Sequence, residues 1–108
     1  MRGKRVSPQT KKFDLVIVSA RYTAGEQVDC VQAYQRSGAV WGDVILLTRE
    51  QLLTRLQAGA RVVTGRTSDL PGDFQIEAEV HLTRSDGMER MALRGREADG
   101  EALGVPLF

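Results

Sequence analysis

Phe74-Gln-Ile-Glu-Ala-Glu-Val-His-Leu-Thr83, then Asp86-Gly87, then Met88-Glu-Arg-Met-Ala-Leu93, is the stretch that decides the fold. Phe74, Ile76, Ala78, Val80 and Leu82 alternate with Gln75, Glu77, Glu79, His81 and Thr83. A period of two, apolar then polar, is the pattern of a strand with one face on a core and one face wet. Asp-Gly between two such runs predicts a two-residue hairpin turn. That turn sets a register: Leu82 faces Met91 and Val80 faces Leu93 on the inner side, while Glu79 meets Arg94 and Glu77 meets Arg96 outside.

Upstream, Phe13-Asp-Leu-Val-Ile-Val-Ser-Ala20 is rich in β-branched residues, and the successive Val16, Ile17 and Val18 predict a strand buried on both faces. Thr23-Ala24-Gly25 and Ser37-Gly38 mark turns. Between them, Val28, Val31 and Tyr34 fit helical spacing, whereas Val28, Cys30 and Tyr34 fit a strand. The short length between two glycine turns favours the strand. Ala39–Leu47 reads as the next strand, with Trp41-Gly42-Asp43 as a turn or bulge signal. A helix follows over Thr48–Ala58. Thr48 is an N-cap, Gln51 completes a capping box, Leu47 and Leu52 make a hydrophobic staple, and Gly59 stops the helix. Leu52, Leu53 and Leu56 form its apolar stripe; Arg49, Glu50 and Arg55 face water. Arg61–Gly65 is a further short strand, and Ser68–Asp73 a loop.

The element order is β-β-β-α-β-β(-β). The fold class expected is α+β and β-rich: an antiparallel twisted sheet, or a partly open OB-like barrel, with one helix. Its length of 108 residues suits a single domain. The domain is expected over 13–108. Residues 1–12 read as a basic disordered tail, because Arg2, Lys4, Arg5, Lys11 and Lys12 face no acid there and Ser7-Pro-Gln-Thr10 builds no core. Beyond it the chain is mildly acidic, which the overall net charge of +1 conceals.

Hydrophobic residues are 42% and charged residues 27% of the chain, ordinary for a globular protein. No apolar run approaches the roughly 18 residues of a membrane span. Asp14 interrupts the apolar run Phe13–Val18, so no signal peptide is expected. Cys30 is the single cysteine, which excludes an intrachain disulfide and a cysteine-built metal site and fits a cytoplasmic setting.

Chemistry-bearing residues are sparse. His81, the one histidine, alternates onto the wet face beside Glu79 and has no clustered ligands around it. Cys30 sits in an apolar stretch and reads as a core residue. Glu77 and Glu79 share a strand face but have Arg94 and Arg96 opposite, which makes them ladder pairs rather than an acid and a base. The glycines form no phosphate loop. No catalytic, cofactor-binding or metal-binding residue is expected. The OB-like order draws attention to Tyr34, Arg36 and Trp41, stacking aromatics beside a cation, as a face for a ligand or single-stranded nucleic acid.

Gly87-Met-Glu-Arg-Met-Ala-Leu-Arg94, Asp99-Gly100 and Leu103-Gly-Val-Pro-Leu-Phe108 resemble the C-terminal segments of a family of small bacterial proteins. It is a domain-of-unknown-function family, number thirty-eight ninety-two in its series. Thr48-Arg-Glu-Gln-Leu-Leu and Gln57-Ala-Gly59 resemble its helix. The resemblance implies no activity. It implies that the apolar tail docks on the body through Leu103, Leu107 and Phe108.

The expected function is a non-enzymatic binding or interaction module of unknown ligand. The alternative is single-stranded nucleic-acid binding on a barrel face through Tyr34, Arg36 and Trp41. A small enzyme using Glu77, Glu79 or His81 ranks third. A protein partner or a second copy of the chain is the expected kind of partner, with no membrane.

Overall fold

The computed structural model describes residues 4–5, 13–24, 27–37, 40–67, 74–85, 87–93 and 103–108. Its elements are β1 (Lys4–Arg5), β2 (Leu15–Tyr22), β3 (Val28–Ser37), β4 (Val40–Thr48), α1 (Arg49–Gln57), β5 (Val62–Thr67), β6 (Phe74–Ser85) and β7 (Met88–Leu93). They make one sheet in the order β1-β4-β3-β2-β5-β6-β7. The segment around Val28–Ser37 is a strand, as its brevity between turns predicts.

The β6–β7 register is the expected one: Leu82 pairs with Met91 and Val80 with Leu93. Gly87 has a φ of 76°, the left-handed conformation that a two-residue hairpin turn demands and glycine supplies. Glu79 binds Arg61 at 3.1 Å and Glu77 binds Arg66 at 2.8 Å, both from β5's side of the strand. Arg94 and Arg96 lie outside the described residues, as does the Ser68–Asp73 loop.

The helix is closed at its start by the capping box. Thr48 Oγ1 accepts from Gln51 N at 3.2 Å, and Gln51 Oε1 accepts from Thr48 N at 2.9 Å. Gly59, at φ 92°, follows the C-cap. Leu47 and Leu52 lie in the same core cluster, with Leu53 and Leu56 against it. Arg49 and Arg55 do not simply face water: Arg49 Nη2 donates to Glu89 O at 3.1 Å and Arg55 Nη1 to Gln35 Oε1 at 3.0 Å.

The fold is α+β and β-rich with one helix, as expected, and one feature of it is corrected. The sheet is mixed, not wholly antiparallel, since Leu15, Val16 and Ile17 pair in parallel with Val62, Val63 and Thr64. The reason is the helix, which carries the chain back across the sheet and starts β5 at the same end as β2. Of the two forms expected, a twisted sheet or a partly open barrel, the sheet is the one found: among the described residues β7 pairs only with β6, and the sheet stays open. Within the basic segment 1–12, expected to be disordered, Lys4 and Arg5 pair with Trp41 and Val40, because edge strand β4 offers open backbone groups there.

The sheet is strongly saddle-shaped. Strands β4 and β6 stand four steps apart, about 19 Å in a flat sheet, yet the Trp41 and Phe74 rings meet at 5.2 Å. Trp41 opens β4 and Phe74 opens β6, which run in opposite directions, so these are diagonal corners curling toward one face. The other diagonal curls the opposite way, bringing Arg49 and Gln57 of the helix onto Glu89 of β7. Two cores result. One, under the helix, holds Leu15, Ile17, Val31, Leu47, Leu52, Val62, Met91, Leu103 and others. The second, on the reverse face, holds Phe13, Val16, Trp41, Val63 and Phe74.

β-Bulges let single strands feed both cores. Thr64 pairs with Ala78 but Gly65 with Ile76, so Glu77 is an extra residue. Before it, Phe74 and Ile76 pack on the second core; after it, Ala78, Val80 and Leu82 pack on the first. The same happens in β4, where one extra residue at Gly42-Asp43 sends Trp41 to one face and Ile45 and Leu47 to the other. β2 carries its extra residue at Val18 and is buried on both faces.

Candidate functional site

A concavity lies on the reverse face, where β2 and β5 part. Their ladder ends at Ile17–Thr64. Above it the bulge at Val18 bends β2, and Gly65 sits at the bulge with β6. The gap on β2's side is taken by the C-terminal segment. Ala20 N donates to Pro106 O at 2.9 Å, Phe108 N to Ala20 O at 3.3 Å, and Leu103 N to Tyr22 Oη at 3.0 Å. Leu103 and Val105 point into the first core, while Gly104 and Pro106 line the opposite side. What remains between the tail and β5 is a groove of about 550 Å³, lined by Val18, Tyr34, Gly65, Arg66, Thr67, Glu77, Gly104 and Pro106.

The tail therefore docks, but not as expected throughout. Val105 takes the buried place, and Leu107 is 73% exposed because its alternation point has already left the core. Phe108 is held by its backbone and by Arg21, whose guanidinium carbon lies 4.8 Å from the ring centroid.

The groove is amphipathic. Tyr34 forms its inner wall and is held from behind by Phe74, ring centroids 5.1 Å apart. The opposite rim carries Arg66, its Nη2 donating to Glu77 Oε2 at 2.8 Å. This pair is solvent-facing, with side chains 68% and 34% exposed. Such a pair is worth little in stability.

Of the three residues singled out in the sequence, only Tyr34 lines this groove. Trp41 is 1% exposed, an edge-on partner of Phe74, and presents no open ring face for stacking. Arg36 is turned to the base of the sheet, where its Nε donates to Phe13 O at 2.8 Å and its Nη2 to Asp14 Oδ1 at 3.1 Å. Asp14 Oδ2 in turn accepts from Arg61 N at 2.8 Å, so this carboxylate ties β2, β3 and β5 together. A shallower depression of about 360 Å³ lies there, lined by Asp14, Gln35, Arg36, Arg55 and the helix end Ala58–Ala60. Its arginines already donate to Asp14, Phe13 and Gln35, so it reads as a structural joint.

The other candidates do not converge. Cys30 is buried. His81 is half-buried with its Nε2 shielded from solvent, not on an open wet face. Glu77 is engaged by Arg66 of β5 and Glu79 by Arg61, just before that strand. Among the described residues no group of three or more His, Cys, Asp or Glu is placed to hold a metal, and no helix is long and apolar enough to cross a membrane. Arg66, Gly65 and the tail were not legible as site residues. Only the glycine within a strand pattern signalled them, as a mark of a bulge or of close backbone approach. Compared with protein-family models, curated proteins and solved structures, the chain matches none.

Proposed function

We propose that the chain is a non-catalytic binding module whose ligand seats in the groove at the fork between β2 and β5. The observation that carries this reading is the groove itself: about 550 Å³, with an apolar inner wall and one exposed ion pair on its rim. That volume is in the range of sites that hold small ligands, roughly 300–1,000 Å³. The lining brings together one acid and one base, Glu77 and Arg66, already bonded to each other. Among the described lining residues no nucleophile is shown hydrogen-bonded to a general base, and a lining of this kind supports binding rather than turnover. Placing the chain in the domain-of-unknown-function family that its C-terminal segment resembles adds no activity to this reading.

The test is a titration of isotope-labelled protein with a library of small amphipathic compounds, read by amide chemical shifts. Hits should shift Val18, Tyr34, Gly65–Thr67 and Gly104 together, and Tyr34→Ala should abolish them. Shifts scattered over the surface, or none, would overturn the reading. A parallel titration with a short oligothymidylate examines the nucleic-acid alternative. Salt-dependent shifts around Arg36 and the N-terminal cations would favour that alternative instead.

A further inference from the structure

We infer that the groove takes an extended acidic peptide segment, which adds as a strand along the free edge of β5. This rests on the groove being the binding site and names its ligand class. Beyond Thr64, β5 is laddered only to β6. Gly65, Arg66 and Thr67 pair with Ile76, Gln75 and Phe74, and among the described residues nothing pairs with them on β2's side. An open strand edge is a template for main-chain pairing.

The fork already accepts one extended segment by that means. The tail bonds main chain to main chain with Ala20 and alternates its residues between the core and the groove. A second extended segment on the facing edge would use the same geometry. On the groove side its alternate side chains would fall on Val18, Tyr34 and Pro106.

The charge follows from Arg66. A guanidinium carries five N–H donors, and the one hydrogen bond described for Arg66 goes to Glu77. An incoming carboxylate can take the remaining donors with the Glu77 bond intact. An incoming cation would first have to displace Arg66 from Glu77.

The probe is a fluorescein-labelled pentapeptide of alternating valine and threonine with a central glutamate, titrated into the full chain and read by anisotropy. Binding is expected, with slowed amide exchange at Gly65–Thr67. Exchanging the central glutamate for glutamine, or Arg66→Gln in the protein, should weaken it about tenfold, the loss of a charge-assisted bond. Because Arg66 is exposed, R66Q should melt where the parent chain does. N-methylating alternate peptide amides should abolish binding, since it removes the main-chain donors. Equal binding of the methylated peptide, or of R66Q, overturns the inference. If small compounds still shift the groove while the peptide does not bind, the peptide inference fails and the binding site stands. If neither binds, both fail.

Discussion

Replacing Gly65 by alanine would put a methyl group 2.7 Å from the Gln75 carbonyl oxygen and 3.2 Å from Val16 Cγ1. The first neighbour is backbone, fixed in the β5–β6 ladder at the bulge, so relief requires the two strands to separate. Overpacking of this kind costs about 1–3 kcal/mol. Gly65 has no positive φ, so alanine fits its backbone conformation and recovers about 0.4–1 kcal/mol by restricting the unfolded chain. The net expectation is a loss of about 1–2 kcal/mol, seen as a lower urea midpoint at constant slope. The melting temperature should fall by about 4–8 °C for each kcal/mol lost in a domain this small. Gly42, at the β4 bulge, is the internal control. A Cβ there meets only Gln35 O at 3.6 Å, ordinary contact, so Gly42→Ala should be neutral or slightly stabilising. If Gly65→Ala is as stable as the parent, or if the two variants lose equally, then close strand approach is not what glycine serves at position 65.

Three further outcomes are expected. Thr48→Ala removes the capping box and should cost about 1 kcal/mol by urea denaturation, with Thr48→Ser losing much less. Leu103→Ala empties a fully buried site and should cost about 2–3 kcal/mol or release the tail, seen as faster amide exchange at Ala20, whereas Leu107→Ala, at an exposed position, should change neither. Glu79→Gln weakens the half-exposed pair with Arg61 and should cost about 1 kcal/mol, with the difference shrinking as salt is raised.

The saddle explains why a regular alternation misleads about faces. Phe74 through Leu82 reads as one apolar row, and its residues are indeed all inward-directed, but they serve two cores. The extra residue at Glu77 is invisible in the pattern, because the apolar–polar alternation runs on unbroken while the bulge turns the residues before and after it to opposite faces. The same holds at Gly42-Asp43, where the glycine was at least a signal. Trp41 shows the consequence for function. Its place near a cation suggested a stacking platform, but the curl of the sheet brings it against Phe74 across three intervening strands and buries it.

By itself, the sequence determined whatever is settled within a few residues of chain. That includes the cap, box and stop of the helix from Thr48 to Gly59, the β6–β7 hairpin with its register, and the burial of Val16 and Ile17 on opposite faces. Those are local hydrogen bonds and short-range alternation, legible from spacing alone. Only the tertiary structure decided the parallel join of β2 with β5, the open rather than closed sheet, and the tail's place beside Ala20. Each depends on segments distant in sequence that share no local signal. The groove lies where those three meet. Its residues come from Val18 to Pro106, and their juxtaposition arises from strand twist and bulges, which set where a sheet must part.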